Sequence, residues 1–150
     1  MRTSRILRST NISYICTIII IGLLTGAIIA FPSIALEYIK RGLIPENTFV
    51  PLMTCEVCCI VPSYAILFSL LLLIRNIRKE KVFTELNCKL LRIISWCCFA
   101  IAVIFVYLSF YFQIAIIVSA AAAFFGLILR VIKNVFERAI ELKDENDFTI

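Results

Sequence analysis

The sequence predicts an all-α integral membrane protein, a four-helix bundle with both termini cytoplasmic. Three observations predict it. First, 62% of the 150 residues are hydrophobic and the mean hydropathy is +1.02, against ~45–50% apolar residues in an ordinary soluble domain. A soluble chain of this length could not hide that excess, because much of its surface must face water. Second, four uncharged or nearly uncharged apolar stretches recur, at about residues 12–31, 57–74, 90–106 and 114–132. Third, the 15 Lys and Arg residues alternate along the chain. Three precede the first stretch, two fall in the first connection, six lie within residues 75–92, none lies in the third connection, and four lie at or beyond the end of the last stretch. Basic connections stay cytoplasmic, so the counts place both termini and a loop at 75–89 inside, and residues 32–56 and 107–113 outside.

The first element follows a short basic segment with Arg2, Arg5 and Arg8. Residues 12–31 are 20 uncharged residues, which at 1.5 Å per residue reach across ~30 Å of hydrocarbon. A signal peptide has this polarity too, but its apolar region is ~7–15 residues and ends in a small-residue cleavage site. AIIAFPS is a poor one, so the run is read as a retained span. Gly22, Gly26 and Ala30 recur every four residues, a spacing that lets helix backbones approach closely, within this chain or between copies in a homo-oligomer.

Residues 32–56 mix charges of both signs with Pro32, Pro45 and Pro51. Pro32 is expected to break the first helix, with Ser33 capping a short helix that reaches Lys40. The second span, 57–74, carries Pro62 in its first two turns, where the ring bends a helix. In the basic loop, Thr84 is the expected N-cap of a helix opening at Glu85. Asn87 stands where a complete capping box needs Glu or Gln. Leu86, Leu90 and Leu91 are expected on that helix's apolar face.

Residues 93–132 contain one charge, Arg130, and are long enough for two spans. The turn between them falls at the aromatic run 107–113, as expected at a membrane interface. So short a connection makes the third and fourth helices antiparallel neighbours. Ala115, Ser119 and Ala123 line one side of the fourth, with Ala122 and Gly126 beside them. From Lys133 the pattern turns amphipathic: Ile132, Phe136, Ala139 and Ile140 share a face, and Lys133 pairs with Glu137. This tail, 133–150, is expected to stay helical to about Asp144, with Asn146 in a left-handed cap.

The chemistry-bearing residues do not form a reaction centre. There is no His, hence no member of the commonest class of general base and metal ligand. Cys55, Cys58 and Cys59 flank Glu56 and are open to three readings: a soft-metal site, a disulfide, or packing. One CxxC supplies only two ligands. No catalytic, cofactor-binding or metal residue is expected. Charge is missing from the span centres, which argues against ion-coupled transport. The basic loop lacks the extent and aromatic interleaving of a nucleic-acid face. The acidic tail is unfavourable at a helix C-terminus. Glu145, Asp147 or the Ile150 carboxylate is therefore expected to meet a cation of the loop, with Phe148 packed beneath; the alternative is a solvated tail.

Two pieces of the chain resemble a known family. Lys81, Phe83, Thr84 and Asn87, followed by Leu90-Leu91-Arg92-Ile93, are similar to a K-x-F-T-x-x-N…L-x-x-I signature. Residues 138–150, RAIELKDENDFTI, are similar to a terminal R-A-x-E-L-x-x-E-N-D-L-T-I, with Phe148 in place of Leu. Together they resemble the bacterial four-span membrane family known as domain of unknown function 2975. Its members are often encoded beside a small helix-turn-helix transcription regulator, so the resemblance implies such a DNA-binding protein as a partner. The expected function is a non-enzymatic, multi-pass protein of the bacterial cytoplasmic membrane with a cytoplasmic docking face. Lys81, Phe83, Thr84, Asn87, Glu145, Asn146, Asp147, Phe148 and Thr149 are its candidates for docking or loop–tail contact. Two alternatives stay open: an oligomeric permeation protein for a small solute, and a bacteriocin-type immunity protein.

Overall fold

The computed structural model describes residues 2–79 and 82–147. They form four helices: α1, Arg2–Lys40; α2, Phe49–Arg78; α3, Glu85–Ser109; and α4, Ala115–Asp147, with a single 3-10 turn at Glu46–Thr48. All four are long and apolar enough to cross a membrane. Large apolar side chains on every helix face outward, among them Leu23, Ile29, Val61, Phe68, Val103, Ile117 and Phe124. A soluble protein does not leave so continuous an apolar exterior uncovered; a bilayer covers it. The chain is therefore a multi-pass helical bundle.

Successive helices run antiparallel. Arg78 lies over the Tyr14 ring and the Thr25 and Tyr64 hydroxyls meet at 2.8 Å, pairing α1 with α2. Asn76 meets Asn87 and Cys55 meets Ile104, pairing α2 with α3. Arg92 meets Glu137 and Ala102 meets Ser119, pairing α3 with α4. The start of α1 and the end of α4 thus share one end of the bundle with the junction of α2 and α3, called here the basic end. Each helix packs on its neighbour in sequence, whereas α1 and α4 do not close against each other.

Several boundaries differ from the sequence expectations. Pro32 does not break α1, and Ser33 lies inside the helix rather than at a cap. Proline removes one N–H, but in an apolar solvent ending the helix would strand several more backbone groups. α1 ends instead at Gly42, whose φ of 71° is the left-handed conformation. Gly42 N–H donates to the Ile39 carbonyl and Leu43 N–H to the Tyr38 carbonyl, at 2.9 and 3.1 Å. These two bonds make a Schellman closure, which favours glycine because no Cβ obstructs it. α2 begins at Phe49, well before residue 57. Pro51 therefore sits in its first turn, where no N–H is needed, and Pro62 sits near its middle. This shift also puts Cys55 and Glu56 inside the helix. α4 runs on to Asp147, so Asn146 is helical rather than a left-handed cap. Good helix formers from Glu137 to Glu145 carry it past Asp144 without a breaker.

The other boundaries are as expected. Thr84 has extended backbone, φ −136° and ψ 148°, and its hydroxyl accepts the Asn87 N–H at 3.4 Å. The turn between α3 and α4 falls within residues 110–114.

Candidate functional site

The basic end is built around Asn87, in the first turn of α3. Its side chain is fully buried. The Asn87 Oδ1 accepts from Asn76 Nδ2 at 2.8 Å, and its Nδ2 donates to the Val82 carbonyl at 2.7 Å. One amide thus ties the end of α2, the connection and the start of α3 together. A buried amide left unpaired costs much more than a paired one contributes, so these bonds fix how the connection lies.

The connection is then attached to α4. The rings of Phe83 and Phe136 meet with centroids 5.2 Å apart. Arg92 Nη2 lies 3.1 Å from Glu137 Oε1, and Lys133 Nζ lies 2.6 Å from Glu137 Oε2. One carboxylate thereby joins the two helices. Beside it, Arg92, Arg130 and Lys133 converge with Ser95 and Trp96 around a polar recess of about 320 Å³. The Arg130 guanidinium stacks 5.5 Å from the Trp96 ring, a contact that suits a cation near hydrocarbon.

Outward from this frame, Phe83, Leu86, Val135 and Leu142 are at least half exposed. Of the three leucines expected on the apolar face of α3, Leu90 and Leu91 are buried and Leu86 is exposed. The segments of this end also carry the exposed cations Arg75, Arg78, Lys79, Lys89, Arg138 and Lys143, with the exposed acids Glu85, Glu141 and Glu145 among them. Thr84 is half-buried and Glu145 and Asn146 are exposed. Lys81, Phe148, Thr149 and the Ile150 carboxylate lie outside the described residues, as do the side chains of Asp144 and Asp147. The expected loop–tail contact therefore falls there. Cys88, read from sequence as a residue of the charged loop, is buried in α3.

The small-residue stripes have different surroundings. Ala115 and Ser119 are buried, Ala122 and Ala123 half-buried, and Gly126 buried against Phe99. Ser119 Oγ donates to the Ala102 carbonyl and Ser95 Oγ to the Gly126 carbonyl, both at 2.8 Å. Gly22 and Gly26 have open space where a Cβ would stand, and Ala30 is exposed.

At the opposite end, Cys55 is buried, Cys58 exposed and Cys59 half-buried, all as free thiols. Glu56 lies between them, and its Oε1 is buried without a hydrogen-bond partner. The sequence reading missed it by placing Glu56 in a connection. Pro51 at a first-turn position, followed by an apolar stretch with no Gly or Pro until Pro62, was the available signal.

Fold and surroundings together define a multi-pass helical membrane protein, most of whose Lys and Arg residues belong to the segments of one end. The chain belongs to the family described as protein of unknown function (DUF2975), which matches residues 40–150. No curated protein and no solved structure matches it.

Proposed function

We propose that this protein is a non-enzymatic membrane anchor whose basic end faces the cytoplasm and docks another protein, a small helix-turn-helix regulator being the partner the family resemblance implies. The observation that carries the reading is the projection of α4. It continues from residue 133 to 147 as a charged, amphipathic helix, a reach of roughly 20 Å beyond the apolar span. It is held there by Phe83 and Arg92 and displays Val135 and Leu142 to the outside. Apolar groups ringed by charge are the usual anatomy of a recognition patch. The exposed cations of this end favour an acidic partner surface.

Within this reading the named residues divide. Asn87 has no exposed surface, so its part is to shape the connection. Phe83, Leu86 and Leu142 are available for contact. The reading assigns no catalytic residue. The inward orientation rests on the charge counts, and the bacterial cytoplasmic membrane on the family resemblance.

Two experiments test it. Membrane-impermeant thiol labelling of intact cells should modify F110C in the 110–114 turn, and L86C only after permeabilisation; the reverse pattern overturns the orientation. Photocrosslinking amino acids placed at Leu86 and Leu142 should both capture one DNA-binding protein, lost in the F83A/L142A variant. Capture of lipid alone at both positions overturns the docking role.

A further inference from the structure

A second feature lies at the end of the bundle remote from the docking face and does not depend on it. Because α1 and α4 do not pack together, a cleft remains between α1 and the other three helices. It encloses about 340 Å³, within the range of small-molecule sites. Its walls are almost wholly apolar: Ala27 and Phe31 from α1, Phe105 from α3 and Ala115 from α4 are among them. Among the described residues that line it, Glu56 is the charged one. Its Oε1 is buried, and among the described residues it is the one buried side-chain oxygen or nitrogen without a partner.

That combination is unusual on physical grounds. A buried acceptor without a donor forfeits the hydrogen bonds it had in water. Glu56 as a whole is half-buried, so its carboxylate keeps part of its hydration while Oε1 faces the apolar walls, and a cation there would offset what that oxygen has lost. Among the described residues, no Lys or Arg lines the cleft. Glu56 Oε1 thus offers an acceptor suited to a positively charged donor, and around it lies a receptacle for an apolar body.

We propose that this cleft binds a free amphiphilic amine, its hydrophobic body between α1 and the α2–α4 unit and its ammonium donating to Glu56 Oε1. An ammonium satisfies the acceptor and the charge together; a neutral acyl chain satisfies neither. The size of the cleft fits a compact single-bodied ligand rather than a two-chain lipid. α1 is the helix least engaged with the rest: 6% of its most apolar stretch is buried, against 28% for α3. It is the wall most able to yield as a ligand enters from the bilayer.

The test uses the full chain in phosphatidylcholine nanodiscs, a lipid without a primary ammonium. The probes are 1-adamantylmethylamine and its neutral counterpart 1-adamantylmethanol, with binding read by saturation-transfer NMR and by protection of the Cys59 thiol. The amine should bind the wild-type chain and lose about tenfold or more in E56Q, the scale expected when a charged hydrogen bond is removed. The alcohol should bind more weakly and equally in both. A27F fills the cleft from its loosest wall and should abolish amine binding while Glu56 is intact. That variant decides the matter if E56Q does not fold. Equal binding of amine and alcohol, amine binding unchanged in E56Q and A27F, or no binding at all overturns the proposal. So does amine binding that disappears as phosphatidylethanolamine replaces phosphatidylcholine, since the cleft would then hold a lipid ammonium.

Discussion

α1 and α4 carry nearly the same small-residue signal and are used differently. On α4, Ala115, Ser119, Ala122 and Gly126 sit against α3, and two serine hydroxyls reach carbonyls across the seam. On α1, Gly22, Gly26 and Ala30 face away from the chain's other helices, and the described contacts to α2 include the Thr25–Tyr64 bond and the stacking of Arg78 on Tyr14. The family match begins at Lys40, the last residue of α1, and so takes in α2 to α4. The difference teaches that small residues permit close approach but do not cause it. Without a hydrophobic drive between helices in lipid, a seam needs packing on both sides and polar groups that close it. α4 meets Phe99, Ser95 and Ala102; α1 meets nothing comparable at its glycines.

The largest expected effect breaks this comparison directly. A Cβ at Gly126 would stand 3.2 Å from the Phe99 ring and 3.3 Å from the Ser95 carbonyl oxygen. The ring can yield, whereas the backbone oxygen can move only with α3. G126L should therefore destabilise the chain by roughly 2–3 kcal/mol, the upper range for overpacking. The G22L/G26L double variant has open space and should change monomer stability by less than ~0.5 kcal/mol. Thermal unfolding in one detergent at matched lipid content compares the two. If the glycines of α1 serve a second copy, the double variant lowers self-association in a cysteine-crosslinking assay while leaving unfolding unchanged. Equal destabilisation by both variants would show α1 to be as tightly built in as α4.

The next effect concerns the joint between α2 and α3. N87A removes the acceptor for Asn76 and the donor to Val82, leaving both partners buried or half-buried. A loss of about 1–3 kcal/mol is expected. Hydrogen exchange should rise first at residues 82–90, and the α1–α2 contacts should keep their protection.

How much of this was legible in the sequence depends on which solvent a rule assumes. The charge counts, the Thr84 cap and the aromatic turn after Tyr107 are local signals, and they located α3 and the α3–α4 pairing. The α1 boundary was not legible from Pro32, because the cost of ending a helix is higher in lipid than the cost of one missing bond; Gly42 was the better marker. Reading residues 32–56 as one connection also hid Glu56, whose importance depends on the cleft that α1 leaves open. Asn87 looked like a surface residue of a charged loop. Its burial follows from the convergence of three segments, which no local pattern encodes. The exposed face of Gly22 and Gly26 was ambiguous for the same reason: spacing describes a groove and does not specify its occupant.

The serine bonds of the α3–α4 seam offer a finer measure. S95A and S119A each delete one donor and leave a helical carbonyl that keeps its own backbone bond. Hydrogen bonds between membrane helices average about 0.6 kcal/mol, so each variant should cost about that much. The two bonds lie seven residues apart along each helix, Ser95 to Ala102 and Ser119 to Gly126, roughly two turns or ~10 Å, so the double variant should be close to additive. Strong non-additivity would mean that the seam opens as a unit rather than residue by residue.

The smallest effect lies at the charged join between the same two helices. Glu137 accepts from Arg92 on α3 and Lys133 on its own helix, but Arg92 and Glu137 are both open to solvent. Water competes with exposed pairs, and salt screens them. E137Q should therefore leave unfolding of the bundle nearly unchanged at moderate ionic strength. Its consequence should be local. Without the carboxylate, Arg92, Arg130 and Lys133 repel one another across their recess, and the α4 projection loses one of its two attachments, keeping Phe83 on Phe136. Spin labels on Leu86 and Leu142 should report a broader distance distribution in E137Q, with the difference shrinking as salt is raised. A distribution unchanged at low salt would assign the orientation of the projection to the aromatic contact alone, and F83A would then be the variant that frees it.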